Sequence, residues 1–193
     1  VSLVGSSAIV IFVSTALPVQ SVKDFVAHAK TRPGQLNYAS SGIGSGLHLT
    51  GELFKSLAGV DMVHVPYKGI GAAAADVVSA PIQVFVNTYS GSIPHIKAGR
   101  IRPVITGGAR RSTHMPEVPT GPEAGYPGFQ STAWHAAMAP AGTPQAAISR
   151  LNQTLVAALA TAEVRSRLAV FDVEPIGSRP EEQDKFFKEE VEK

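Results

Sequence analysis

Six small residues crowd the segment NYASSGIGSGLHLTGELF, residues 37–54: Ser40, Ser41, Gly42, Gly44, Ser45 and Gly46. They stand just before an amphipathic helical pattern, with Ser45 where an N-cap belongs and His48 in the first turn. The first turn of a helix leaves N–H groups unpaired and carries partial positive charge, so a carboxylate or phosphate is stabilised there. Glycines let the backbone approach such a ligand closely, and serine hydroxyls donate further hydrogen bonds. Each charge-assisted bond contributes about 1.5–3 kcal/mol where water is excluded. A glycine-rich loop with an ordinary serine cap accounts for the same residues without any ligand, so this stretch alone leaves both readings open.

The same arrangement recurs downstream. In VPYKGIGAAAAD (65–76), Tyr67 and Lys68 precede Gly69 and Gly71 at the start of an alanine-rich helix. Lys68 offers a positive charge and Tyr67 an aromatic wall with a hydroxyl; a surface lysine beside a packed tyrosine is the plainer account. Asn87, Thr88 and Ser90 end a third apolar run. Three successive strand ends carrying small or polar residues converge on one crevice, where open α/β sheets bind ligands.

Several chemistries are excluded by spacing. No lysine follows the 42–46 glycines, as a P-loop requires, and Leu47 stands where the third glycine of G-x-G-x-x-G belongs. Ser40, Ser41 and Ser45 lie outside any G-x-S-x-G elbow. The six histidines (28, 48, 64, 95, 114, 135) show neither H-x-x-x-H nor H-E-x-x-H spacing, and there is no cysteine, so no metal site, cofactor or thiol chemistry is expected. No set of nucleophile, base and oxyanion donor is legible. A small organic anion is left as the ligand.

The elements that position these residues alternate. Strands are predicted at 8–13, 36–39, 62–67, 82–86 and 102–107, with helices at 21–31, 45–58, 71–79 and 92–99 between them. Leu49, Leu53, Phe54 and Leu57 mark one buried helix face. The β-α alternation predicts an α/β fold with a mainly parallel sheet and helices on both faces. Residues 107–130, with four prolines and five glycines, read as a long ordered connection with one helical turn at 121–125. A strand at 131–140, a helix at 142–161 with Thr143 as cap and Pro144 at its first position, a helix at 163–170, a strand at 173–176 and a helix at 180–192 follow. That tail has too little sheet to cover its helices. Either the tail packs on the first unit or its missing strands precede Val1; the second is the expectation, because the opening VSLVGS reads as a strand already under way.

With 193 residues, 44% hydrophobic and 17% charged, the chain has the composition of a globular protein of one large or two small domains. Its formal charge is +2 and its longest basic cluster is Arg110–Arg111, which argues against nucleic acid as a partner. Residues 8–130 hold ten Lys and Arg against six Asp and Glu, a mild positive excess that suits an anionic ligand.

The blocks VSLVGSS, PGQLNYASSGIGSGLHLTGELFKSLAGVDMVHVPYKG, PHIKAGRIR, MPEVPTGPEAGYPGF and APAGTP closely resemble the extracytoplasmic solute receptors of tripartite tricarboxylate transporters, the Bug or TctC-like family, over essentially the whole chain. The resemblance implies a periplasmic-binding-protein-like (type II) α/β fold of the Venus-flytrap kind, with two domains joined by crossing strands and a small carboxylate in the cleft between them. It implies ligand contacts from Ser40, Ser41, Gly42, Gly44, Ser45 and His48, with Tyr67, Lys68 and Gly69 beside them and Asn87 at a strand end where the family often has Asp. Residues 8–130 would form one complete domain, and 1–7 with 131–193 the remainder of another whose N-terminal half is absent. The implied role is periplasmic: capture of a small carboxylate (a di- or tricarboxylate, acidic amino acid or aromatic acid) and delivery to membrane permease subunits, without catalysis. A small-anion enzyme using His48 as base, and a truncated fragment that binds nothing, are the rival expectations.

Overall fold

The computed structural model describes residues 1–79 and 81–192. The chain divides into two compact units, one of Ala8–Ala133 and one of Val1–Ser7 with Trp134–Lys193. The strand β1 (Ser2–Ser14) supplies residues to both.

In the larger unit β1 is followed by α1 (Val22–Lys30), β2 (Asn37–Ser40), α2 (Gly46–Ala58), β3 (Val63–Pro66), α3 (Ile70–Ser79), β4 (Val84–Thr88), α4 (Tyr89–Lys97) and β5 (Ile101–Thr106). The sheet order is β3-β2-β4-β1-β5. β2 runs parallel to β3 and β4, whereas β1 is antiparallel to β4 and β5. The sheet is therefore mixed rather than mainly parallel throughout. β1 alone is reversed because no crossover helix of this unit delivers it; β2, β3, β4 and β5, joined in turn by α2, α3 and α4, run the same way.

The run AIVIFV is continuous because β1 is buried on both faces. Ile9, Ile11 and Val13 join one core with Phe25, Tyr38 and Phe54 beneath α1 and α2, and Val10 and Phe12 join the other with Phe85, Ile82 and Met115. In α2 the buried residues are Thr50, Gly51, Phe54 and Ala58, while Leu49 and Leu57 are exposed. The predicted leucine face is thus rotated. Tyr38 explains it: its ring lies so close to Gly51 that a β-carbon there would stand 2.4 Å from Cε2, so the smallest side of the helix faces the sheet. α4 starts at Tyr89, three residues before the sequence expectation, because Thr88 caps it and Pro94 is accommodated inside. The connection 107–130 is ordered by its own contacts: Met115, Val118 and Phe129 are buried, and the Glu123 carboxylate accepts from Thr120 N–H and from Arg111.

The smaller unit comprises the start of β1, β6 (Thr132–Ala137, its last four residues), α5 (Gln145–Ala160), α6 (Ala162–Val170), β7 (Glu174–Pro175) and α7 (Pro180–Val191). β6 and β7 both pair with β1, β7 through Gly5 and Ser6. Pro144 itself is the N-cap of α5, one residue later than expected, without a side-chain cap. Ser2 Oγ donates to the Ser178 carbonyl (2.8 Å), Leu3 N–H to Ser178 Oγ (2.9 Å) and Asn152 Nδ2 to the same carbonyl (2.7 Å). Its helices bury little: Leu151, Val156 and Val170 are exposed, and Leu159 is the buried residue of α5.

Candidate functional site

The parallel strands β2, β3 and β4 all end at one edge of the sheet, so α2, α3 and α4 all begin there. Register fixes which side chains share a face. Tyr38 pairs with His64 and with Val84, and Ala39 with Phe85. With the alternation of a strand, Tyr38, Ser40, His64 and Val86 project to the α1/α2 face, and Ala39, Phe85 and Asn87 to the α3/α4 face.

On the α2 face the turn from Ser40 to Ser45 is held by its own hydrogen bonds. Gly42 and Gly44 have φ of +127° and +77°, conformations that favour glycine. Ser40 Oγ accepts from Gly42 N–H (3.2 Å) and lies 2.7 Å from His64 Nε2. Ser45 Oγ donates to the Gly42 carbonyl (2.7 Å) and caps α2 by accepting from His48 N–H (3.2 Å). His48 Nδ1 accepts from Gly44 N–H (3.2 Å), which fixes that nitrogen as the acceptor and leaves the proton on Nε2. The amides of Gly42 and Gly44, expected to face a ligand, are therefore engaged by Ser40 and His48. Among the described residues Ser41, Ile43, Gly46 and Leu47 N–H have no partner, and the last two are the first amides of α2. Ser40 is fully buried, so its hydroxyl holds the turn, whereas Ser41 stays half-buried at the edge.

The sequence reasoning missed the layer beneath. His64 stacks on Tyr38 (centroids 4.8 Å apart) and packs against His48 (4.1 Å). Tyr38 Oη donates to Glu52 Oε1 at 2.5 Å, and Lys55 Nζ lies 2.9 Å from the same oxygen. Burial, then the repulsion that two protonated rings at 48 and 64 would exert on each other, hold His64 below the ordinary imidazole value. Burial would raise Glu52, but the bonds from Tyr38 and Lys55 outweigh it and keep the carboxyl below its usual value. The signal for this layer was a histidine between two valines (Val63-His64-Val65), in strand register with Tyr38.

Tyr67 N–H donates to the Ser40 carbonyl (3.1 Å), which joins the YKG turn to the cradle. The Tyr67 hydroxyl is turned elsewhere, donating to Asp76 Oδ2 (2.6 Å); burial, then that carboxylate, push the phenol up to about 12. Lys68 and Gly69 are exposed, Gly69 with φ +93°. Asn87 is 4% exposed and projects to the opposite face from Ser40. The structure thus joins Ser40, Ser41, Gly42, Gly44, Ser45 and His48 in one turn, sets Tyr67 to Gly69 beside it, and separates Asn87 from it by the thickness of the sheet. Among the described residues no group of three or more His, Asp or Glu is placed to hold a metal ion.

A mixed α/β sheet with its helices starting along one edge has the periplasmic-binding-protein-like fold. Residues 1–193 match the family described as tripartite tricarboxylate transporter family receptor, and the chain belongs to that family. It is 33% identical to the protein BugT of Bordetella pertussis across its whole length, spanning 59% of that relative. Among solved structures it is similar to R. palustris Rpa4515 with adipate, at 33% identity and a TM-score of 0.93, covering 99% of this chain and 64% of that one. It is also similar to MatC (Rpa3494) from Rhodopseudomonas palustris with bound malate, at 29% identity and a TM-score of 0.81, covering 94% and 61%. The chain spans about six-tenths of the length of these proteins. The family is one of periplasmic solute receptors rather than enzymes. No helix among the described residues is long and apolar enough to cross a membrane.

Proposed function

We propose that this chain supplies the carboxylate-gripping part of a periplasmic receptor that captures a small di- or tricarboxylate and hands it to the permease of a tripartite tricarboxylate transporter. The observation that carries the reading is the pair of unpartnered amides, Gly46 and Leu47, at the mouth of α2, beside the half-buried Ser41 and the imidazole of His48. One carboxylate accepts from those two amides, with Ser41 Oγ and His48 Nε2 as further donors; Ser40, Gly42, Gly44 and Ser45 shape the turn. Lys68 and the Tyr67–Gly69 turn add positive charge and a backbone edge next to it. The relatives solved with adipate and malate support a ligand with two carboxylates.

The test is isothermal calorimetry of the full chain as encoded, with adipate, malate, citrate and benzoate. Saturable one-to-one binding of at least one of them, weakened by Ser41→Ala and His48→Ala, is the expected result. Absence of binding to every acid of the panel refutes the reading. Release of a converted product from a bound acid would favour the rival view of an enzyme.

A further inference from the structure

Two hydroxyls link the residue before β6 to the mouth of α2. Thr50 is 2% exposed, and its Oγ1 lies 2.6 Å from the Gly46 carbonyl oxygen and 2.6 Å from Ser131 Oγ. A carbonyl can only accept, so the one proton of Thr50 goes to Gly46 and Ser131 supplies the proton of the other bond. The direction is therefore fixed: Ser131 donates to Thr50, and Thr50 to Gly46. The starting point is held as well. Ser131 N–H donates to the Gly107 carbonyl (2.9 Å), and the Ser131 carbonyl accepts from Ile9 N–H (3.0 Å). The backbones there are so close that a β-carbon on Gly107 would stand 2.6 Å from the Ser131 carbonyl oxygen.

We propose that Thr50 and Ser131 are positioning residues for the carboxylate grip: their hydroxyl relay orients and polarises the Leu47 N–H, one of the two helix amides that hold the ligand. This rests on the carboxylate-receptor reading above. The Gly46 carbonyl and the Leu47 N–H belong to one peptide unit, which is planar. A bond that fixes the carbonyl oxygen therefore fixes the direction of that N–H, although glycine at 46 would otherwise leave the plane freer to turn. Hydrogen bonds in a chain also strengthen one another: a proton donated to the carbonyl draws electron density toward its oxygen and makes the N–H a better donor. Every link points the same way, toward the cradle, so a carboxylate at the mouth of α2 completes a run that begins beside β1. A threonine hydroxyl bonded back to the carbonyl four residues earlier is by itself a common local arrangement in helices. Ser131 makes it a relay, because it reaches the acceptor side of that hydroxyl from 81 residues along the chain and ties it to a fixed backbone.

The test is calorimetry, with proton–nitrogen correlation spectra, on the full chain as encoded and with adipate, malate, citrate and benzoate as the probes. Thr50→Val keeps the shape but removes the hydroxyl, and is expected to weaken binding about 3- to 10-fold. Thr50→Ser keeps the hydroxyl and is expected to restore the affinity that Thr50→Val loses. Ser131→Ala is expected to weaken binding by less, and to reduce the downfield displacement of the Leu47 amide proton when the acid is added, a readout that packing alone would not move. Because Ser131 acts through Thr50, the double variant is expected to bind no more weakly than Thr50→Val. Unchanged affinity in Thr50→Val, no recovery in Thr50→Ser, or losses that add in the double variant each overturn the relay while the receptor reading stands. If Thr50→Val does not fold, Ser131→Ala decides: wild-type affinity or an unaltered Leu47 displacement overturns the inference. A wild type that binds none of the four acids removes the receptor reading and the relay with it.

Discussion

Gly51→Ala is the sharpest check on the packing that places the cradle. The new β-carbon would stand 2.4 Å from Tyr38 Cε2, 2.9 Å from Cζ and 3.0 Å from Cδ2. Non-bonded carbons settle at about 3.5–4.0 Å, so the ring or the helix has to withdraw by about 1 Å. The ring has little room: it is fully buried, its hydroxyl is held by Glu52, and His64 stacks on it. Overpacking of this kind costs about 1–3 kcal/mol. Alanine in place of glycine inside a helix returns about 1 kcal/mol, leaving a net loss of up to about 2 kcal/mol. Gly71→Ala in α3 is the control, because nothing lies within 4 Å of its β-carbon position and only the favourable contribution applies. The two variants should therefore differ by about 1–3 kcal/mol in urea unfolding followed by circular dichroism, or by about 2–12 °C in melting temperature. Equal, upward shifts in both would show that α2 is not seated on Tyr38 as described.

Three other outcomes are expected. Ser45→Ala removes the cap of α2 and its bond to Gly42, and should lower the urea-derived stability by about 1 kcal/mol; Ser45→Asp should keep most of that stability yet abolish carboxylate binding in calorimetry by placing like charge in the cradle. His64 has its folded value lowered, so between that value and the unfolded one, near 6.5, the unfolded chain binds more protons and stability rises with pH. Urea midpoints should then be lower at pH 5.5 than at 7.5, with a smaller difference in His64→Gln; an unaltered difference would remove His64 from the account. Gly46→Ala keeps its amide and meets only Ile9 Cδ1 at 4.0 Å, so it should leave the melting temperature equal or higher while reducing carboxylate affinity, because the methyl group obstructs the approach to Gly46 and Leu47.

How much of this was legible in the sequence depends on whether the signal was local. AIVIFV marked a strand, and Ser45 with His48 marked a helix start, because apolar runs and capping are written within a few residues. The antiparallel course of β1 was not legible, since alternation of strands and helices implies parallel pairing and says nothing of a strand that no crossover of the unit delivers. The buried face of α2 was misread for a related reason. Leu49 and Leu57 are the larger hydrophobes, but Tyr38, thirteen residues before Gly51, fills the space they would need. The His64 layer depends on register between β2 and β3, which no window of consecutive residues contains.

The bonding around Ser40 explains why so many small residues precede α2. Ser40 Oγ has one proton and three neighbours: the Gly42 amide, the Gly42 carbonyl and His64 Nε2. If His64 carries its proton on Nε2, Ser40 accepts from it and from Gly42 N–H and donates to the Gly42 carbonyl, and every group is satisfied. If Nε2 is bare, Ser40 donates to it instead, and the Gly42 carbonyl still accepts from Ser45 Oγ and Ser45 N–H, so either tautomer of the neutral imidazole closes the network. The turn is then rigid before any ligand arrives, its glycines serving the left-handed conformations rather than the ligand. Holding the turn by side chains leaves the ordering cost out of the binding step and keeps the first amides of α2 free of internal partners. That division of labour, with serines and glycines shaping the turn and helix amides doing the gripping, is why His64→Gln should weaken carboxylate binding although His64 contacts no ligand in the proposed arrangement. Calorimetry showing unchanged affinity in a folded His64→Gln protein would separate the turn from the grip and defeat this account.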